Sequence, residues 1–310
     1  MRAWTLRLTV AVALTAGSPP SSSDSVGVAL ASGGGQPAAG AIATASDQML
    51  TADGVTLRYR EAGSGDPVMF VHGYSATLES QIPLANALAS THRVVALDVR
   101  GFGKSSKFAE PERFGQLIVD DVVRLMDHLK IARGHLVGHS MGALISANVA
   151  ARYPARVSSV TLIAGPFYRD KPTFSKETAR WVADLEGGQG LTNFMLWLFP
   201  KMEPAVATGA SAQALKVNDL PSLIAVMRTL PDLTIAGLSA PGVPAVVAVG
   251  TGDPLHPLSV TFANASPGAK LLEIEGADHV NVAANPDVMR AMRELIQRTT
   301  VTSGVRREAA

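Results

Sequence analysis

The chemistry that this chain can support is concentrated at Gly138-His139-Ser140-Met141-Gly142. A serine flanked at two residues on either side by glycine is what a tight strand-to-helix turn needs. The glycines let helix and strand approach closely, while the serine backbone is held strained with its hydroxyl in the open. The flanks agree: Gly134-His135-Leu136-Val137 is a short apolar run suited to a buried strand, and Met141 to Arg152 is Ala-rich with apolar residues at helical spacing. A serine hydroxyl is a weak nucleophile at neutral pH. It needs a neutral imidazole to take its proton, and a carboxylate to fix that imidazole's tautomer and stabilise its charge. The turn motif alone is short enough to arise by chance, so the reading depends on whether the rest of the chain supplies those partners.

The elements that must position them alternate. Met49 to Ala52, Asp53-Gly54 and Val55 to Arg60 form an antiparallel hairpin signal with D-G at the turn. Pro67 to Val71 is a continuous apolar run ending in His72-Gly73-Tyr74, and a helical segment covers about residues 78–90. Val94 to Leu97 leads into the loop from Asp98 to Ser105, and residues 112–130 carry apolar positions at helical spacing. Val157 to Ala164, Pro244 to Val249 and Lys270 to Ile274 read as further strands, with a closing helix from Pro286 to Arg298 and a frayed polar end after it. Strands that are apolar throughout and alternate with helices predict an α/β fold: a mostly parallel central sheet flanked by helices. The alternation breaks over residues 165–242, a mainly helical, aromatic-rich stretch that reads as an inserted helical cap.

Five motifs appear in a fixed order: His72-Gly73-Tyr74, the Asp98-to-Ser105 loop, Gly138 to Gly142, Gly250-Thr251-Gly252-Asp253 and Gly276-Ala277-Asp278-His279. Over residues 48–298 the chain thereby resembles the α/β-hydrolase family. The resemblance implies a nucleophile, acid and base in the order Ser140, Asp253, His279, and an oxyanion hole made by the backbone N–H groups of Tyr74 and Met141. Asp253 read by itself could be a turn residue before Pro254, and His279 a surface-loop histidine. Asp170 is the rival acid, since some family members place the acid after the preceding strand. The Tyr74 ring either lines the acyl pocket or seals the seam between cap and core. Trp181, Phe194 and Trp197 are the expected substrate-binding residues of the cap.

His139 is expected to pack beside the turn, His72 to brace the oxyanion loop, and Asp278 to point away from the base. His256 reads as a solvated loop position, and His92, His128 and His135 as element-end or helix-face residues. Gly103-Lys104-Ser105 lacks the earlier glycine of a phosphate loop, because Asp98 stands there. No H-E-x-x-H or comparable ligand cluster implies a metal, and no cofactor is implied.

The 310 residues are 47% hydrophobic and 17% charged, which describes a globular chain with an ample core. A formal net charge of +1 gives no argument for nucleic acid or anionic membranes as partners. With no cysteine, disulfides, thiolate catalysis and cysteine-ligated zinc are excluded. Two arginines within Met1 to Arg7, an apolar stretch from Leu8 to Ala16 and small residues after it have the layout of a secretory signal peptide, too short for an ordinary membrane span. The expected organisation is a signal and processing region at 1–31, a flexible linker at 32–47, a core at 48–164 and 243–310, and a cap at 165–242. The product would be exported, with no stable membrane span after processing.

The expected activity is cofactor-free hydrolysis of a small-molecule carboxylic ester with an apolar acyl or alcohol part, through an acyl-enzyme. Perhydrolysis or haloperoxidase-like chemistry and C–C bond hydrolysis could use the same three residues. Epoxide hydrolases and dehalogenases of this family carry Asp where Ser140 stands, which argues against both. A ligand-binding receptor built on the fold is the non-enzymatic alternative.

Overall fold

The computed structural model describes residues 41–238 and 242–308. The expected export signal at 1–31, and the linker as far as residue 40, lie outside the described residues. Eight strands form one sheet in the order β1-β2-β4-β3-β5-β6-β7-β8. They are β1 (Gln48–Ala52), β2 (Val55–Ala62), β3 (Pro67–Val71), β4 (Arg93–Leu97), β5 (Gly134–His139), β6 (Val157–Ile163), β7 (Ala245–Gly250) and β8 (Lys270–Ile274). Only β2 runs antiparallel to its neighbours, β1 and β4; β3 to β8 are parallel. The β1–β2 turn has positive φ at both Asp53 (52°) and Gly54 (72°), the backbone that the D-G pair predicts for a two-residue hairpin.

Helices cover both faces: α1 (Ile82–Asn86), α2 (Gln116–His128), α3 (Met141–Arg152), α4 (Lys171–Glu186), α5 (Thr192–Leu198), α6 (Pro204–Val217), α7 (Leu220–Thr229), α8 (His256–Asn264) and α9 (Pro286–Glu308). Alternate strand residues serve opposite faces. Met69, Val71 and Leu136 join the cluster with α2, α3 and α8, whereas Val68, Phe70 and Val137 join the one with α1 and α9. With both faces covered, β3 and β7 are apolar without a break. α3 is buried on nearly all sides, so it shows little amphipathic contrast.

Helices α4 to α7 fill the interval between β6 and β7. Asp170 and Asp219 cap α4 and α7, their carboxylates accepting the N–H of Thr173 and Ser222 at 2.8 and 2.9 Å. Pro172 and Pro221 occupy first-turn positions where a missing N–H costs nothing.

Three differences from the sequence expectation stand out. α9 continues to Glu308 and does not stop at Arg298. α8 has no counterpart in the periodicity reading. Residues 41–47, assigned to the linker, are packed: Ile42 is fully buried, and the Asp47 carboxylate pairs with Arg58, Arg60 and Lys104.

That ion cluster supports the loop after β3. Fully buried Asp98 accepts the N–H groups of Leu78 (2.7 Å) and Lys104 (2.8 Å) and pairs with Arg58 (3.0 Å), while Arg58 also grips Glu79 at 2.6 Å. The Asp98-to-Ser105 motif is therefore a brace. Burial alone would raise the Glu79 carboxyl, but hydrogen bonds from Arg58 and Thr77 outweigh it and hold the group below its ordinary value. A carboxyl depressed in the folded state stabilises above its unfolded pKa, about 4.3. That stabilisation is lost as pH falls through the lower folded value. Glu79→Gln is accordingly expected to cost about 1.5–3 kcal/mol at pH 7 and to flatten the loss of stability below about pH 4. Urea unfolding across pH checks this, and an unaltered acid slope would contradict it.

Candidate active site

Ser140 sits between β5 and α3 with φ 56° and ψ −122°, a conformation that costs a non-glycine residue roughly 1–3 kcal/mol. Its N–H donates to the carbonyl of Ile163 at 2.8 Å, which ties the turn to β6. The flanking glycines are dictated by space. A Cβ on Gly142 would lie 2.0 Å from the carbonyl oxygen of Val71, and one on Gly138 would lie 2.2 Å from that of Gly142. No side chain larger than hydrogen fits either place.

Asp253 follows β7 and His279 follows β8, at the carboxyl ends where parallel sheets open their sites. The two are brought together. Nδ1–H of His279 donates to Oδ2 of Asp253 at 2.8 Å, and both residues are almost completely buried. Oδ1 of Asp253 accepts the N–H of Leu255 at 2.8 Å, so both carboxylate oxygens are engaged. The loops carrying them are stitched by Gly252 N–H to the Ala277 carbonyl and by Gly276 N–H to the Thr251 hydroxyl, at 2.9 and 2.8 Å. Ser140 Oγ makes no hydrogen bond to the imidazole; both groups line the same cavity. Such links commonly tighten only when substrate is bound.

His139 does more than fill space. Its Nε2–H donates to the backbone carbonyl of His279 at 2.7 Å, with the two rings 4.9 Å apart. Loss of solvent around the ring, and then the neighbouring His279, push its pKa down to about 4, so it stays neutral at pH 7. It acts as a fixed strut under the His279 loop. His72 is a second strut: the Val99 N–H donates to its Nε2 at 3.0 Å, which leaves Nδ1–H to donate to the Gly73 carbonyl at 2.7 Å. Burial lowers its pKa and keeps it neutral.

Those contacts set the loop of Gly73 and Tyr74 beside the serine, where a Cβ on Gly73 would approach the Ser140 Cβ to 3.1 Å. Among the described residues, neither the N–H of Tyr74 nor that of Met141 has an acceptor within the chain. The Tyr74 hydroxyl donates to the Leu223 carbonyl of α7 at 2.8 Å, and its ring borders the cavities.

Two cavities meet at Ser140. The larger, about 240 Å³, lies on the His279 side against α5 and α6, with Met195, Phe199, Ala210 and Val217 among its walls. The smaller, about 40 Å³, lies on the Met141 side and is bordered by Trp181, Phe194 and Trp197. Of these three aromatics only Phe194 reaches both cavities. Trp181 is 5% exposed and clustered with the other two rings at 5.4 Å, so it both borders the smaller cavity and packs against its neighbours.

The remaining candidates fall away from the site. Asp170 is an exposed helix cap. Asp278 accepts the N–H groups of Val280 and Asn281 and shapes its own turn. His256 pairs with Glu273 at 2.6 Å, and His135 with Ser159 at 2.8 Å. Among the described residues no helix is long and apolar enough to cross a membrane.

Comparison with known proteins agrees with this architecture. One stretch is 42% identical over 119 residues to the dihydrolipoyllysine-residue acetyltransferase component of the acetoin cleaving system of Pseudomonas putida. It covers 38% of this chain and 32% of that protein, so the chain spans about a third of that relative's length. A longer match, 26% identical, covers 79% of the chain and 95% of the (E)-2-((N-methylformamido)methylene)succinate hydrolase of Acinetobacter baylyi. Among solved structures, the enol-lactonase from Burkholderia xenovorans superposes with a TM-score of 0.65 at 23% identity, over 81% of this chain and all of that one. Residues 66–286 match the alpha/beta hydrolase fold family, and the chain belongs to that family.

Proposed function

We propose that the protein is a serine esterase that cleaves a carboxylic ester of compact acyl group and larger, mostly apolar alcohol. The observation that carries this is the His279–Asp253 pair, which shares one cavity with a serine held on a strained turn. Ser140 Oγ attacks the ester carbonyl while Nε2 of His279 takes its proton. The N–H groups of Tyr74 and Met141 hold the resulting oxyanion, each such donor being worth ~2.7–4 kcal/mol in the transition state. The imidazolium then protonates the departing alcohol. A water, deprotonated by the same nitrogen, releases the acid and restores Ser140.

The two cavities divide the substrate. The leaving oxygen must face His279, so the alcohol takes the larger cavity, which His279 lines, and the acyl group takes the smaller one. Among the described residues no lysine or arginine lines either cavity, which disfavours dicarboxylate substrates such as the one in the name of the Acinetobacter relative.

In a p-nitrophenyl ester series of graded acyl length, kcat/KM is expected to peak at short acyl groups. Trp197→Ala opens the smaller cavity and is expected to raise the ratio of long-chain to acetate turnover by about tenfold or more. Trp181→Ala removes a buried ring and is expected to cost about 3–5 kcal/mol of stability. A wild-type optimum at long acyl chains, or a Trp197→Ala ratio equal to that of the wild type, would reverse the division of the two cavities. No turnover of any ester would defeat the esterase reading.

A further inference from the structure

The loop that offers the Tyr74 N–H is built on an unfavourable turn. The chain reverses from Gly73 to Ala76, whose N–H donates to the Gly73 carbonyl at 3.3 Å. Ser75, the third residue of that turn and the one after Tyr74, has φ 57°. A turn with positive φ at its third residue ordinarily takes glycine or asparagine there, because a Cβ crowds the backbone. One long hydrogen bond inside the turn does little to keep serine in that conformation. Such strain persists where the surrounding structure enforces it.

The enforcement comes from the corner between α6 and α7, in the helical stretch that separates β6 from β7. Buried Asn218, at the end of α6, donates from Nδ2 to the Ser75 carbonyl at 2.9 Å and to the Ala214 carbonyl at 3.0 Å. With carbonyls on two sides, the flipped amide would set an acceptor against acceptors, so this orientation is fixed. Oδ1 of Asn218 is left buried with no donor among the described residues. A leucine would fill the same space without that penalty, so packing does not account for the amide, whereas the two donated bonds do. Tyr74 itself is tied to the same corner by its hydroxyl bond to the Leu223 carbonyl at 2.8 Å. We infer that Asn218 is a positioning residue: through the Ser75 carbonyl it holds the strained turn, and so keeps the Tyr74 N–H where the oxyanion forms. The α6–α7 corner is thereby coupled to the chemistry without touching the reacting atoms. The inference rests on the esterase reading, in which the Tyr74 N–H is an oxyanion donor.

The test compares Asn218→Leu with Ser222→Ala in the full-length protein. Ser222 Oγ accepts the Phe108 N–H at 3.0 Å, a bond from the same α7 to a residue that lines neither cavity. On p-nitrophenyl acetate, Asn218→Leu is expected to lose about tenfold in kcat with KM held within about twofold. Inhibition by 2,2,2-trifluoroacetophenone is expected to weaken by about the same factor, because Ser140 Oγ adds to its carbonyl carbon, the Oγ proton passes to Nε2 of His279, and the carbonyl oxygen becomes an oxyanion. Ser222→Ala is expected to melt earlier and to keep its kcat and its affinity for the ketone. Adding Ser75→Gly to Asn218→Leu is expected to restore about threefold or more in kcat, since glycine takes positive φ without a clamp. Should Asn218→Leu fail to fold, Tyr74→Phe removes the other bond to the corner, with the same two losses expected. An unchanged kcat, a loss in kcat with undiminished ketone affinity, a loss that Ser75→Gly does not relieve, or an equal loss in Ser222→Ala overturns the inference and leaves the esterase reading standing. A wild type that cleaves no ester overturns both.

Discussion

Ser140→Ala is expected to lower ester turnover by ~10⁴- to 10⁶-fold, the loss seen when the nucleophile of such a set is removed. The fold is expected to survive intact. Ser140 Oγ makes no hydrogen bond in the structure, so its deletion leaves no buried partner unsatisfied. Alanine meets the same backbone strain at φ 56° that serine already bears. Melting temperature and turnover are therefore expected to separate, with the first held within a few degrees, equivalent to about 1 kcal/mol, and the second collapsed. If the variant retained wild-type turnover, the serine would have no place in the chemistry.

The second large effect is expected at the acid. In Asp253, Oδ1 accepts the Leu255 N–H and Oδ2 accepts Nδ1–H of His279, both at 2.8 Å. An asparagine has one carbonyl oxygen for these two donors. If that oxygen stays with Leu255, the amide NH₂ faces the imidazole and drives it to the Nε2–H tautomer, which cannot take a proton from Ser140. A loss of ~10⁴-fold in kcat follows from a misplaced tautomer of this kind. Asp170→Asn is the internal comparison. Its carboxylate only caps α4 through Thr173, and asparagine caps equally well, so turnover and stability are expected to stay close to wild type. A larger loss from Asp170→Asn than from Asp253→Asn would move the acid to the end of β6.

Much of this is legible in the sequence. The D-G hairpin, strand β7 and the glycines around Ser140 follow from local rules: turn chemistry, uninterrupted apolar runs, and space that admits only hydrogen. The pairing of Asp253 with His279 was implied by the family resemblance, and each stands at the end of a readable strand. What the sequence hid depends on contacts between distant segments. Asp47 looks like linker until Arg58, Arg60 and Lys104 converge on it. The strut role of His139 needs the carbonyl of a residue 140 positions away. The larger cavity has no local pattern, because it forms where small side chains far apart in sequence, Ala210 and Ala214 on α6 and Ala283 after β8, leave room. Trp181 borders the smaller cavity, as its type and location suggest, and also packs against Phe194 and Trp197, which sequence does not show.

The central claim is that Ser140 is a nucleophile activated by His279 and Asp253, and covalent capture tests it most directly. The protein is exposed to an alkyl phosphonate ester carrying a p-nitrophenolate leaving group, and intact mass and peptide mapping locate the adduct. The account predicts stoichiometric modification on Ser140 alone, with Asp253→Asn labelled far more slowly and Ser140→Ala not labelled at all. Modification at another residue, or equal labelling rates in wild type and Asp253→Asn, would contradict it.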